Sequence, residues 1–359
     1  MNECLQYYAA ACQTDQPNPA NRQQMNDNTA RILRMIDEAV VGYAPLYPVK
    51  LVVFPEFAHA APVYLTLREL REKLGVPIPN EHTERIQAKA RDYGIYVQTG
   101  SFLETDARWP QALFNTTCLI GPEGILLKYR KVNPWIPWEV HTSPHDLPGY
   151  DQEMFPVART PIGCLGVAIC YDWLFPEPLR QLTANGAEVL IRVSAYMDPF
   201  GTTEPMDWWS VVNRCRALEN TAYVVAANQG ASLKHYPPFS WPGGSMVVDY
   251  DGRILTQASP GPGEKIVVGP VDIARLRQER KNRNAHQMLA HLRSECYSLY
   301  RREYLASGSF VGQDQVTVTD CEDRIEAAKR RVGYLAAGEK PETQPLQHWL
   351  EASKAGDSE

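Results

Sequence analysis

The sequence of 359 residues lacks long hydrophobic runs and any excess of positive charge. No apolar stretch approaches the roughly 20 residues that a membrane-spanning helix needs, which argues against an integral membrane protein. Lysine and arginine total 36 against 42 aspartates and glutamates, a formal net charge of −6. This balance provides no electrostatic basis for binding nucleic acid or an anionic membrane surface.

Closely spaced cysteine pairs are also missing. The eight cysteines are scattered along the chain, which in a protein of this size predicts reduced thiols and a cytoplasmic location rather than a disulfide framework. The first residues, Met-Asn-Glu-Cys-Leu, carry neither the basic nor the apolar region of a signal peptide. No internal repeat is evident, and the length suits one large domain or two small ones.

The sequence does contain alternating signals for strands and helices over its first 272 residues. Short apolar runs bounded by turn residues predict strands, and apolar residues three and four positions apart predict helices. Strands are expected at 5–14, 50–54, 95–101, 116–120, 125–129, 163–169, 187–193, 221–228, 245–249, 253–257 and 265–272, and helices at 25–40, 83–93, 177–185 and 205–220. This order predicts a layered α/β domain with sheets of mixed direction.

The composition changes after residue 272. Residues 275–283 are strongly basic, and the polar stretch that follows contains helical spacing at 324–337. We therefore expect one domain at 1–272 and a C-terminal extension at 273–359 with a partly disordered tail. The extension is expected to provide oligomer contacts, and a solvated surface tail is the alternative.

Cys170 lies where an apolar strand ends and the chain turns toward a helix beginning near Pro176. A thiol at such a turn is held rigidly, and backbone N–H groups of the turn face whatever it attacks. Glu56 and Lys131 also follow predicted strands, and strand ends in α/β proteins converge on one edge of a sheet. Singly, a buried cysteine or a solvated lysine or glutamate is commonplace. The combination favours a reactive site.

These three residue types suit the hydrolysis of an amide through a thiol. The thiol must lose its proton to a base or beside a cation, and the tetrahedral intermediate needs fixed donors for its oxyanion. The leaving amine then needs a proton, and a water molecule must be activated to release the acyl group. A carboxylate and an ammonium group next to one cysteine can supply all of this without histidine.

The motifs around these residues resemble the nitrilase, or carbon–nitrogen hydrolase, superfamily. The resemblance is carried by Val-Val-Phe-Pro-Glu56-Phe, Lys-Tyr-Arg-Lys131-Val and Gly-Val-Ala-Ile-Cys170-Tyr-Asp, and Asn213-Arg-Cys-Arg-Ala-Leu-Glu-Asn220 supports it. It covers roughly residues 5–272. It implies a four-layer α-β-β-α sandwich, a small-molecule substrate, no cofactor and no metal. It also implies a homodimer or a higher homo-oligomer.

The resemblance also implies roles for individual residues. Cys170 is expected to be the nucleophile and Glu56 the general base. Lys131 is expected to stabilise the thiolate and the oxyanion, with the N–H group of Tyr171 as the second oxyanion donor. Glu139 matches a further glutamate that orients the lysine or the substrate.

Two features bear on the branch of the superfamily. Enzymes that hydrolyse nitriles generally follow the nucleophile with Trp-Glu, whereas Tyr171 and Asp172 stand here. The segment Lys-Val-Asn-Pro-Trp-Ile-Pro-Trp-Glu139 resembles aliphatic amidases. We therefore rank primary-amide hydrolysis first, N-carbamoyl hydrolysis second and nitrile hydrolysis third. A binding protein without turnover ranks last, because such proteins typically lose a triad residue.

Aromatic residues near the triad motifs are candidates for the substrate pocket. Aromatic walls accept an apolar or aromatic substrate, and interior packing is the alternative for each side chain. The candidates are Trp135, Trp138, Trp173 and Tyr196.

Two further groups of polar residues are candidates for binding a substrate carboxylate or a metal ion. Arg192 could hold a substrate carboxylate, although a structural ion pair is the commoner use of such an arginine. His141 and His145 have the spacing of helical metal ligands, but Pro144 argues against a regular helix there. The sequence therefore does not favour a metal site.

Overall fold

The computed structural model describes residues 3–197, 207–234, 241–306 and 316–340. Its strands are β1 Gln6–Gln13, β2 Val49–Val53, β3 Tyr96–Asp106, β4 Trp109–Gly121, β5 Gly124–Arg130, β6 Val157–Thr160, β7 Gly163–Ile169, β8 Val189–Ser194, β9 Tyr223–Asn228, β10 Met246–Val248, β11 Ile254–Gln257 and β12 Lys265–Asp272. Its α-helices are α1 Met25–Val41, α2 Leu67–Lys73, α3 Glu81–Tyr93, α4 Pro176–Ala184, α5 Asp207–Asn220, α6 Ile273–Asn282 and α7 Val318–Arg331.

The strands form two six-stranded sheets of mixed direction. Their orders are β12-β1-β2-β3-β4-β5 and β11-β10-β9-β8-β7-β6. The central pairs β1–β2, β2–β3, β7–β8 and β8–β9 are parallel, and the outer pairs are antiparallel. Parallel strands buried on both faces read as continuous apolar runs, which is how β7 and β9 appear in the sequence.

Alternation along β1 shows how the layers stack. Ala9 and Ala11 belong to the core shared with the second sheet, whereas Ala10 and Cys12 pack with residues of α1 and α3. Successive strand side chains point to opposite faces, so one short strand contributes to two hydrophobic layers. Helix α4 covers the far side of the second sheet, where Leu182 packs on Gly166. The molecule is therefore a four-layer α-β-β-α sandwich, as the resemblance implied.

Most predicted elements of the first 272 residues are confirmed, with shifts at their ends. Helix α3 begins two residues earlier than predicted because the Asn80 side chain accepts hydrogen bonds from the N–H groups of His82 and Thr83. Gly94 ends the helix in the left-handed conformation, at φ 60°. The helix predicted from Pro205 is observed from Asp207, and Pro205 itself lies outside the described residues.

The chain beyond β12 contributes two helices. In α6, Ile273 and Leu276 are fully buried in the core of the sandwich, so this helix packs as part of it. Helix α7 begins six residues before the predicted 324–337, because Thr317 and Asp320 form a capping box. The tail expected to be disordered falls largely at 341–359, outside the described ranges. None of the helices described has both the length and the hydropathy of a membrane span.

Candidate active site

Cys170 follows the fully buried strand β7 and opens a short 3-10 turn, Cys170–Leu174. Its backbone has φ 45°, a left-handed conformation that is strained for a residue with a side chain. The sharp change of direction lets the thiol leave the apolar core, and the residue is half-buried rather than sealed. The predicted strand-to-helix turn at the thiol is confirmed, since α4 begins at Pro176.

Asp172 ties this turn to the chain that follows Lys131. Its carboxylate is fully buried and accepts hydrogen bonds from the N–H group of Ile169 at 3.0 Å and from the hydroxyl of Tyr129 at 2.7 Å. The other oxygen accepts from the backbone N–H and the side-chain amide of Asn133 at 2.8 and 2.9 Å. Four donors on one buried carboxylate fix the thiol turn and the lysine segment relative to each other.

Glu56 is the centre of a second buried polar cluster. Its Oε1 accepts hydrogen bonds from Lys131 Nζ and from the amide of Asn115, both at 2.7 Å. Its Oε2 accepts from the N–H group of Ala195 at 3.0 Å. The Cys170 thiol lies near enough to this carboxylate to lower its pKa. The structure thus joins a carboxylate and an ammonium that follow two separate strands, with the thiol that follows a third strand beside them.

Lys131 lies between two carboxylates. Its Nζ is 2.7 Å from Oε1 of Glu56, and 2.8 and 2.7 Å from the two oxygens of Glu139. The ammonium side chain has no exposed surface, and the N–H group of Trp135 donates to Glu139 at 2.6 Å. Burial by itself lowers the pKa of Lys131, but attraction to Glu139 and Glu56 outweighs it and raises the pKa. Lys131 is therefore a permanent cation.

The two carboxylates that contact Lys131, those of Glu56 and Glu139, have different proton affinities. Burial raises the pKa of Glu56 above its usual value, and Lys131 offsets this only in part. Burial acts in the same direction on Glu139, but Lys131 and His141 overcome it and lower the pKa of Glu139 to about 2. Glu139 is therefore a fixed anion, whereas Glu56 is the carboxylate better suited to accept a proton.

The thiol is protonated at neutral pH. Burial and the charge of Glu56 raise the pKa of Cys170 to about 12, although the nearby Lys131 acts in the opposite direction. Lys131 acts on the thiol in the direction expected of it, toward the thiolate, and its stabilisation of a thiolate during attack stays a prediction. Proton removal has to accompany attack on the substrate, and the carboxylate in contact with the thiol is the group placed to accept the proton.

The predicted aromatic residues are placed differently from one another. Tyr171 is half-buried and borders a cavity of about 1050 Å³. Trp138 is half-buried with its ring centroid 6.4 Å from that of Trp135. Trp173 is fully buried in the core and donates from Nε1 to the carbonyl of Ala168, so the structure corrects its expected substrate contact to a packing role.

Arg192 and Tyr196 lie on the second-sheet side of the thiol. The guanidinium of Arg192 donates to Asn213 at 2.8 Å and stacks 4.3 Å from the ring centroid of Trp209. Burial lowers its pKa to about 10. The contacts that the structure gives Arg192 among the described residues are with Asn213, Trp173 and Trp209 and include no carboxylate, so the alternative of a structural ion pair is not observed there and substrate binding stays a prediction. Tyr196 is half-buried and also stacks on Trp209.

Some residues of the site were missed by sequence reasoning. Asn115, the N–H group of Ala195 and Gln229, whose side chain donates to the Glu56 carbonyl at 2.8 Å, all position Glu56. They lie 59, 139 and 173 residues from it, so no local spacing could have revealed them. For Asn133 and Asp172 a signal was available, since each lies two residues from a predicted triad residue.

A family model describing carbon–nitrogen hydrolases matches residues 8–281 of the sequence. The chain belongs to the carbon–nitrogen hydrolase family. It is therefore an enzyme that acts on carbon–nitrogen bonds. The match ends nine residues after the last strand, within α6, which agrees with the burial of that helix in the sandwich.

Curated relatives and solved structures agree with this membership. Deaminated glutathione amidase of Rattus norvegicus is 33% identical over 232 residues, covering 62% of this chain and 67% of the relative. Formamidase of Bacillus cereus (strain Q1) is 29% identical over 317 residues, covering 87% and 85%. The structure of Nit3 from Saccharomyces cerevisiae, a nitrilase-superfamily member, has a TM-score of 0.64 at 24% identity, covering 79% of this chain and 96% of Nit3. The last similarity establishes the fold.

Proposed function

We propose that this enzyme hydrolyses a primary amide to a carboxylic acid and ammonia through a thioester on Cys170. The observation that carries the proposal is the buried ion pair of Glu56 with Lys131 Nζ, which lies close enough to Cys170 to act on the pKa of its thiol. The family membership and the relatives named as amidases support amide hydrolysis in general.

In the first step the Cys170 sulfur attacks the amide carbonyl carbon while Glu56 accepts the thiol proton. The raised pKa of Glu56 suits this transfer, because a more basic carboxylate accepts a proton more readily. Negative charge develops on the carbonyl oxygen. The ammonium of Lys131 and the N–H group of Tyr171 are the proposed donors that stabilise it.

The second step expels ammonia and leaves an acyl group on the sulfur. Protonated Glu56 returns its proton to the leaving amine, so the carbon–nitrogen bond breaks as the nitrogen becomes neutral ammonia. A water molecule then loses a proton to Glu56 and attacks the thioester carbon. Breaking the carbon–sulfur bond releases the carboxylic acid and restores the thiol with the proton held by Glu56.

Glu139 takes part by holding Lys131 rather than by transferring a proton. Its lowered pKa keeps it ionised, and both of its oxygens contact Nζ. A fixed anion on the far side of the ammonium prevents Lys131 from turning toward Glu56 alone. Lys131 thus stays where it can face an oxyanion without reorganisation.

N-carbamoyl amines are the second candidate substrates and nitriles the third. A cavity of about 1050 Å³ borders Tyr171 and Glu139, two residues next to the proposed triad. Ammonia release from amides, N-carbamoyl amines and nitriles with matched acyl groups ranks the three classes. A specificity constant for nitriles above that for amides would refute the ranking.

The direct test of the nucleophile is Cys170→Ala. Ammonia release from the best amide should fall by at least about 10³-fold, because the thioester route is closed. The matched control is Cys215→Ala, which removes an exposed thiol on α5 and should keep full activity. Acyl-enzyme trapped by acid quench should add the acyl mass to the parent protein and not to Cys170→Ala. Equal turnover by both variants would contradict the assignment.

We also propose that residues 273–359 provide contacts in a homo-oligomer. Support comes from large apolar side chains exposed on the C-terminal segment, including Tyr297, Tyr300 and Tyr334, of which the last is 84% exposed. Replacing Tyr297 and Tyr300 with serine should reduce the mass measured by light scattering after size exclusion. An unchanged mass would oppose this role.

The eight free thiols support a reducing, cytoplasmic location.

A further inference from the structure

His141 is a buried imidazole beside the active site that the mechanism above does not use. Its side chain has no exposed surface, and Nε2 lies 3.3 Å from Oε2 of Glu139. Neither ring nitrogen has a hydrogen-bond partner among the residues described. A buried polar ring without a bonded partner is costly, so its position next to a catalytic-site carboxylate calls for a physical explanation.

The surroundings of His141 connect it to both glutamates. Its ring packs edge-on against Phe57, with centroids 6.3 Å apart, and Phe57 directly follows Glu56. The Phe57 backbone has φ 59° and its N–H group donates to the Ser101 hydroxyl at 2.9 Å, so this contact surface is rigid. The ring therefore cannot turn away from Glu139 without disturbing a fixed neighbour.

The charges around Glu139 give the contact its effect. Lys131 supplies one positive charge to two carboxylates, Glu56 and Glu139, so the cluster carries a deficit of positive charge. Nε2 of His141 faces the oxygen of Glu139 that also accepts from Trp135, at a separation of 3.3 Å. Together with Lys131, His141 contributes to the lowered pKa of Glu139.

We propose that His141 is a positioning residue that acts through Glu139. Through the contact of Nε2 with Oε2, which a small rotation of the ring converts into an N–H donor bond in the working enzyme, it holds the carboxylate with both oxygens on Lys131 Nζ and so keeps the ammonium at the oxyanion position. This inference rests on the proposed function for its kinetic consequence, but the contact itself can be tested without turnover. Sequence reasoning considered His141 only as a metal ligand.

The kinetic test compares His141→Phe with His141→Gln. Phenylalanine preserves the packing on Phe57 and removes both nitrogens, so kcat should fall on the order of 10-fold, as expected for the loss of a donor to a charged group, while KM changes little. Glutamine can supply an N–H donor and should recover most of the loss. The control His291→Phe changes an exposed histidine and should leave kcat unaltered.

A double-mutant cycle with Glu139→Gln separates positioning from general support of the fold. If His141 acts through Glu139, His141→Phe should have almost no further effect on kcat in the Glu139→Gln background. Equal losses of kcat in both backgrounds would overturn the proposal, as would wild-type kcat in His141→Phe. Thermal unfolding of all four proteins shows whether any loss reflects unfolding instead.

Proton NMR of protein labelled with ¹⁵N-histidine provides a readout that needs no substrate. The wild type should show an imidazole N–H resonance protected from exchange that is absent in His141→Phe and shifted in Glu139→Gln. Absence of this resonance in the wild type would refute the contact even if amide hydrolysis is confirmed. Presence of the resonance in an enzyme without amidase activity would instead refute the proposed function alone.

Discussion

At the scale of single residues, the site depends on two buried carboxylates that share one ammonium. The charge of Glu139 contributes to raising the pKa of Glu56, after burial, which is the larger cause. The proposed mechanism requires an ionised Glu56 to accept the thiol proton, so kcat/KM should fall as the pH drops below the raised pKa of Glu56. Glu139→Gln removes the neighbouring charge, and we expect the acidic limb of the pH profile of kcat/KM to move to lower pH.

Glu177→Gln is the matched control for this shift, because Glu177 is exposed in the first turn of α4. The acidic limb of the pH profile of kcat/KM for Glu177→Gln should coincide with that of the wild type. Movement of the acidic limb of Glu139→Gln to higher pH would contradict the contribution of the Glu139 charge to the raised pKa of Glu56.

At the scale of elements, a buried histidine pair joins α1 to the first sheet and to α3. The Thr29 hydroxyl lies 3.3 Å from Nδ1 of His59 and 2.8 Å from Nδ1 of His82, and His59 Nε2 is 3.0 Å from the Thr99 carbonyl. Burial and His82 hold the pKa of His59 well below its usual value. The unfolded chain then binds more protons below pH ~6.5, so the free energy of unfolding falls on acidification.

The corresponding prediction concerns His59→Gln, which keeps a donor for Thr99 and cannot titrate. Between pH 7.5 and pH 5.5, urea unfolding of the wild type should lose about 1.4 kcal/mol more than that of the variant, the linkage expected for one histidine with a normal unfolded pKa. His291→Gln, at an exposed position, should lose stability as the wild type does. An identical pH dependence in His59→Gln and the wild type would exclude this pair as an acid-sensitive element.

At the scale of the whole molecule, the C-terminal segment packs back on its own active-site face. Arg324 of α7 forms an ion pair with Asp146, with Nη1 2.9 Å from Oδ2, and the two side chains are 8% and 6% exposed. Ile325 and Val332 line the same cavity as Glu139 and Tyr171. Arg324→Leu leaves the buried carboxylate of Asp146 with only the neighbouring His145 imidazole beside it. Removing one partner of a buried ion pair costs up to about 3–5 kcal/mol, so α7 should detach before the sandwich unfolds.

Limited proteolysis measures this detachment. Cleavage within 316–340 should be faster in Arg324→Leu than in Lys329→Leu, which changes an exposed residue of the same helix. The double variant Asp146→Asn, Arg324→Leu should regain part of the protection, because the unpaired charge is gone. Equal cleavage rates in the two single variants would show that the ion pair does not retain α7.

The sequence by itself determined the order of strands and helices, the family and the positions of Glu56, Lys131 and Cys170. These follow from local properties, because side-chain periodicity and short motifs at strand ends are written in neighbouring residues. Only the tertiary structure decided which groups surround the glutamates, namely Asn115, the N–H group of Ala195 and His141. It also decided that Trp173 belongs to the core and that α7 returns to the active-site face. Those contacts join residues far apart along the chain, and they exist only where the packing of two sheets brings the strand ends together.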